Sequence, residues 1–152
     1  MLDIVEGGKI INGLVPSTAA AATKTADFIN MEGMNCIWAI ISQDAQATPV
    51  TFNGVVSTDY VGGSPSTCNC QFWSSTGILI DKMIKSTSVT SMTLAAVGGV
   101  GLCKYTPYGN SSQKYFSLQY TSGTSPGRRS IVYIGSPRYG GLNQILATSS
   151  ST

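Results

Sequence analysis

The sequence predicts an all-β fold, a two-sheet β-sandwich of jelly-roll type with an extended N-terminal arm, and three observations carry that prediction. The apolar segments are built from Val, Ile, Thr, Tyr, Phe and Trp, residues that suit a pleated surface. Breaks rich in Gly, Pro, Asn and Ser recur between them. No segment of amphipathic helical period intervenes, so the strands have only other strands to pack on.

Strands are expected at Lys9 to Val15, Asp27 to Met31, Asn35 to Ser42, Pro49 to Val56, Cys68 to Trp73, Ile78 to Met83, Ser88 to Ala96, Gln113 to Tyr120 and Ser130 to Gly135. The breaks are Gly7-Gly8, Asn53-Gly54, Gly62-Gly63-Ser64-Pro65, Gly98-Gly99, Pro107-Tyr108-Gly109-Asn110 and Ser122 to Gly127. Ser17 to Asp27 holds four consecutive alanines, Ala19 to Ala22, but its threonines and missing apolar stripe make it an extended arm or short turn. Residues 1–27 therefore read as an N-terminal strand and arm, 28–141 as the sandwich and 142–152 as a C-terminal tail, one domain overall.

Three segments define the expected interior. Cys36 to Ile41 is a nearly continuous apolar run, as in a central strand covered on both faces, with Trp38 in or beside the core. Tyr115 to Tyr120 alternates, which puts Phe116, Leu118 and Tyr120 inward and Tyr115, Ser117 and Gln119 on the wetter side. Ser130 to Gly135 is apolar on both faces and is expected to be central as well.

Charged residues are 11% of the chain, against roughly 25% in ordinary soluble domains. Hydrophobic residues reach 42%, so the chain folds, and a net charge of only +2 gives its surface little defence against contact between copies. That balance suits a component of an assembly. The longest basic run is Arg128-Arg129, which excludes the basic stripe of a nucleic-acid binder. Met1 to Glu6 lacks the basic-then-apolar pattern of a secretion signal. Met92 to Cys103 is too short and too glycine-rich to span a bilayer and reads as a buried strand and a turn.

The absence of histidine removes the usual general base near neutral pH and every Ser-His-Asp or Cys-His arrangement. The acids Asp3, Glu6, Asp27, Glu32, Asp44, Asp59 and Asp81 stand singly, so solvated loop carboxylates are the ordinary reading and a glycosidase pair the exceptional one. The four cysteines form a single C-x-C, Cys68 and Cys70, with two distant partners, Cys36 and Cys103, which does not match the paired knuckles of a zinc site. Cys68 and Cys70 share a strand face and are poorly placed for a mutual disulfide. Gly98-Gly99-Val100-Gly101 lacks the remaining residues of a nucleotide-binding loop and reads as a hairpin turn. No enzyme activity, cofactor or metal is expected.

Arginine and tyrosine are favoured at protein contacts, so the candidate partner-interface residues are Arg128, Arg129, Tyr108, Arg138 and Tyr139. Solvated loop charge and ordinary packing at a sandwich end are the competing readings. A sugar platform, the alternative of another class, is best sought at Trp38, Trp73, Tyr105 and Tyr108.

Several stretches together resemble the capsid decoration, or cement, proteins of tailed bacteriophages. They are Gly7 to Val15; Thr25-Ala26-Asp27-Phe28-Ile29-Asn30-Met31, which is similar to a T-x-D-Y-V-S-L segment; the strand Cys36 to Ser42; and Tyr115 to Tyr120 followed by Ser130 to Tyr139, which look like that family's final hairpin. The middle, Asp59 to Cys103, matches only in order and composition, and Cys68-Asn69-Cys70 departs from it. The resemblance implies a non-enzymatic β-sandwich on the capsid surface of the virion, a homo-oligomer, often a trimer, whose partner is the major capsid protein. A self-assembling coat or tail subunit is the alternative within the structural class. The arm, Met1 to Asp27, is expected to reach a neighbour by strand addition.

Overall fold

Strand formation follows the alternation of apolar and polar side chains. The computed structural model describes residues 9–17, 23–76, 79–107, 112–121 and 127–137, and every regular element among them is a strand. In chain order these are β1 (Lys9–Ser17), β2 (Thr23–Thr25), β3 (Ile29–Asn30), β4 (Met34–Gln43), β5 (Val50–Ser57), β6 (Ser66–Thr67), β7 (Cys70–Thr76), β8 (Leu79–Val89), β9 (Ser91–Leu94), β10 (Gly99–Tyr105), β11 (Tyr115–Thr121) and β12 (Arg129–Pro137).

They form two antiparallel sheets of six strands. The first runs β1-β12-β4-β10-β7-β8. The second runs β2-β11-β5-β6, with β3 also on β11 and β9 also on β5. Both margins of the second sheet are therefore interrupted strands: β2 and β3 lie end to end along β11, and β9 and β6 along β5. The described parts of the segment read as an N-terminal arm are β1, at the margin of one sheet, and β2, at the margin of the other. Gly7-Gly8, Ala19 to Ala22, most of the Tyr108 and Ser122 loops, and 138–152 lie outside the described residues.

The core lies between the sheets. Ile37, Ala39, Ile41, Phe72, Cys103, Ile131 and Tyr133 from the first meet Val50, Phe52, Phe116, Leu118 and Tyr120 from the second. At its centre Phe116 stacks on Tyr105 (4.8 Å between centroids) and meets Tyr133 edge-on (6.2 Å). Each such side chain contributes roughly 1.5–3 kcal/mol by leaving water.

The break between β2 and β3 is closed by Tyr133 of the opposite sheet. Ala26 N–H donates to Leu118 C=O (2.9 Å), but Ser117 Oγ takes the Ala26 carbonyl (2.7 Å). Leu118 N–H donates instead to the Tyr133 hydroxyl (3.2 Å), which stands 3.3 Å from Ser117 Oγ. With the serine proton spent on Ala26, the tyrosine proton goes to the serine. This is why Ser117, expected on the wetter side, is fully buried. Burial also raises the carboxyl of Asp27 above its ordinary range, and its backbone N–H ties β1 to the same place through Gly13 C=O (2.8 Å).

The expected strand Ser88 to Ala96 is two strands, because the chain changes sheets at Thr90. Val89 pairs with Cys70 in the first sheet, and Ser91–Leu94 pairs with β5 in the second. A second crossover, at Cys68 and Asn69, joins β6 to β7. Both are anchored on Gly54, whose N–H donates to Thr90 C=O (3.0 Å) and whose C=O accepts from Cys68 N–H (2.9 Å). Asn53-Gly54, read as a turn, is thus the middle of β5. Glycine is there because a Cβ would collide with Cys70 Sγ and lie 3.2 Å from Cys68 Sγ. Gly54→Val is expected to lower stability by about 1–3 kcal/mol, the range for overpacking a closed core, as an earlier urea midpoint at unchanged m-value.

Gly98-Gly99-Val100-Gly101 is also corrected. Gly98, at φ 86°, ends the turn, while Gly99 to Gly101 belong to β10, a central strand flanked by β4 and β7.

Candidate interaction surface

Cys36 to Ile41 and Ser130 to Gly135 are central in the sheet as expected, but among the described residues each strand is buried on one face and only partly covered on the other. In β4, Ile37, Ala39 and Ile41 are fully buried, whereas Trp38 is half-buried on the outer face and Ile40 is 37% exposed. This corrects the expectation of burial on both faces.

The register places two rows of side chains across the outer face. One runs Ile10, Ile134, Trp38, Lys104, Gln71; the next runs Asn12, Val132, Ile40, Leu102, Trp73. Seven of these ten are apolar, and Ile10 is 60% exposed. Strands β4 and β7 stand two positions apart, roughly 10 Å. The Trp38 and Trp73 rings are nevertheless stacked at 5.3 Å, so both lean over β10. Lys104 Nζ sits 5.3 Å from the Trp38 ring centre and is the cation of the patch. From β1 to β7 the two rows span a footprint of roughly 24 Å by 13 Å, Asn12, Lys104 and Gln71 included.

The second sheet shows what a solvated face of this chain looks like. Its outer rows are Thr23, Thr121, Thr51, Thr93 and Thr25, Gln119, Asn53, Ser91. Thr23 and Thr121, and Thr51 and Thr93, bond hydroxyl to hydroxyl at 2.9 Å, and Gln119 Nε2 donates to Thr25 Oγ1 at 3.2 Å. One face is a hydroxyl and amide lattice, the other an indole and isoleucine surface.

The candidate interface residues separate. Arg128 is exposed, and its carbonyl accepts the Asp44 N–H (2.9 Å). Arg129 opens β12 and is 1% exposed, its guanidinium 4.7 Å from the Tyr120 ring centre and bonded through Nη2 to Gln46 Oε1 (2.7 Å). It is a core cation that pins the 44–46 turn, and its side chain offers a partner nothing. Tyr108, Arg138 and Tyr139 lie outside the described residues. Of the sugar-platform candidates, Tyr105 is buried and Trp38 and Trp73 are on the surface.

Cys68 Sγ and Cys70 Sγ are 3.8 Å apart, in contact but unbonded. Their mutual contact and then burial push the Cys68 thiol up; contact with Cys103 is the largest cause raising Cys70. Both stay protonated at neutral pH. A chromogenic aromatic disulfide is expected to titrate them at least about tenfold more slowly in the folded chain than in urea. Among the described residues no three His, Cys, Asp or Glu side chains come together to hold a metal ion.

No protein-family model and no curated protein sequence matches the chain. Among solved structures it is similar to the SPBc2 prophage-derived protein YomS, with a TM-score of 0.50 at 7% identity over 84% of this chain and 91% of that one. It is also similar to a Bacillus endospore appendage chain from a family of disulfide-linked pili, with a TM-score of 0.39 at 13% identity over 86% and 88%. At these identities the likeness to YomS concerns the fold.

Proposed function

We propose that this chain is a non-enzymatic structural subunit of a bacteriophage particle, bound to the outer capsid surface as a trimer and stabilising the shell by bridging major capsid subunits. The observation that carries the reading is the partly exposed apolar outer face of the first sheet, because exposed apolar patches often mark contacts with other proteins. The histidine-free sequence and low charge support a contact role over a chemical one. The fold shared with a prophage-derived protein and the resemblance at both ends of the chain support the virion setting. A ligand that binds only the assembled lattice stabilises it by mass action, and three linked copies add avidity at symmetry-related sites.

The test is the solution mass by light scattering, followed by sedimentation with phage heads lacking this protein. A trimer that sediments with heads is expected. A closed shell formed by the chain alone makes it a coat subunit instead. A chain that ignores heads overturns the reading.

The Trp38 and Trp73 pair favours one other reading, a carbohydrate-binding module. The two rings spend their facing surfaces on each other, however, rather than lying open as a platform. A soluble oligosaccharide panel is expected to leave indole fluorescence unchanged; a saturable change with one glycan would move this reading to the front.

A further inference from the structure

The connection between β5 and β6 is an internally hydrogen-bonded loop with an apolar tip. Asp59 organises it: its N–H donates to Ser57 Oγ (3.2 Å), its carbonyl accepts from Gly62 N–H (3.4 Å) and its Oδ1 from Gly63 N–H (3.1 Å). Gly62, at φ 69°, lies against the buried Phe28, where a Cβ would enter the ring. So held, the loop projects Tyr60, 53% exposed, and Val61, 69% exposed. A tip fixed before contact loses little conformational freedom on docking, and tyrosine is among the residues that dominate protein contacts.

We propose that copies of this chain join head to tail, the Tyr60–Val61 tip of one seating on the Trp38, Ile40, Leu102 and Trp73 face of the next. This rests on reading that face as covered by protein, and names the cover as a second copy. Three features support that occupant. Both surfaces are apolar, and they occupy different parts of one molecule, the tip at the end of the second sheet and the face outside the first. They carry opposite charges: Asp59 stands at the base of the tip and Lys104 within the face. A net charge of +2 leaves copies free of long-range repulsion. Because the two patches differ, the contact is heterologous and closes into a ring when its rotation divides the circle.

The experiment measures mass by analytical ultracentrifugation over a micromolar dilution series for the wild type, Tyr60→Ser with Val61→Ser, Ile40→Glu, and an equimolar mixture of the two variants. The wild type is expected to be oligomeric and each variant monomeric, with association weakened at least about 30-fold. The mixture should reach a dimer and stop, since each variant keeps the half the other lacks. Both sites are at the surface, so thermal midpoints should hold, and Ile40→Thr repeats the face arm if Ile40→Glu folds poorly. A tip variant that keeps the wild-type mass while Ile40→Glu loses it overturns the head-to-tail contact and leaves the face reading standing. A monomeric wild type, or a mixture that stays monomeric, overturns the contact as well. Both variants keeping wild-type mass and head binding overturns the face reading too.

Discussion

Ile40→Lys is expected to abolish co-sedimentation with phage heads while moving the thermal midpoint by no more than about 3 °C. In the free chain a lysine at this partly exposed site reaches water with its ammonium and lays its stem on the face. Once the face is covered, the same charge is buried without a partner. The penalty of 2 kcal/mol or more is about 30-fold in affinity at that contact, and a chain that no longer associates also loses the avidity that linked copies have on the head. Thr51→Lys, on the hydroxyl face of the other sheet, is the control and should bind as the wild type does. Equal loss in both would mean that added positive charge, and not the indole and isoleucine surface, governs binding.

Tyr133→Phe is expected to cost about 1–3 kcal/mol, a large share of the 5–15 kcal/mol that holds a typical domain, although it removes one oxygen atom. The loss leaves Leu118 N–H without its acceptor inside a closed core, where water does not replace it. Urea unfolding at constant m-value reads it directly. The same hydroxyl sets an alkaline limit. Burial holds the Tyr133 proton well above the ordinary phenol range, and burial raises Tyr120 as well. Unfolded tyrosines ionise near 10, so above that pH the folded chain binds more protons than the unfolded one. Stability from these groups is complete below about pH 10 and falls as pH rises through the alkaline range. Tyr133→Phe should show the shallower fall, and in the wild type part of the tyrosinate absorbance should appear only with unfolding. An equal slope in both proteins would remove Tyr133 as the cause.

What the sequence made legible was which residues avoid water; what it left hidden was whose atoms cover them. The parity of Phe116, Leu118 and Tyr120 was readable because one side of β11 is polar. In β4, apolar residues at both parities satisfied the pattern of a strand buried in its own chain equally well, and Ile40 was misplaced for that reason. Val89 to Leu94 shows another limit: strand-forming residues are the same in either sheet, so the change of sheet at Thr90 left no mark. The separation of Arg128 from Arg129 turns on a one-residue offset in a strand, which reverses a side chain, and on a strand boundary that no local signal fixes. Cys68-Asn69-Cys70, the departure from the resembling family, turned out to mark the other crossover.

The broken margins of the second sheet have a consequence for handling the free subunit. Strands β2, β3, β6 and β9 are two to four residues long, too short to template a cross-β stack. In the first sheet, β1 carries Pro16 and two register irregularities, and β8 has Asp81, Lys82 and Lys85 in its sequence. Short, interrupted or charged margins are poor templates for another chain's strand, so among the described residues side-chain surface is a better route of contact between copies than the sheet edges.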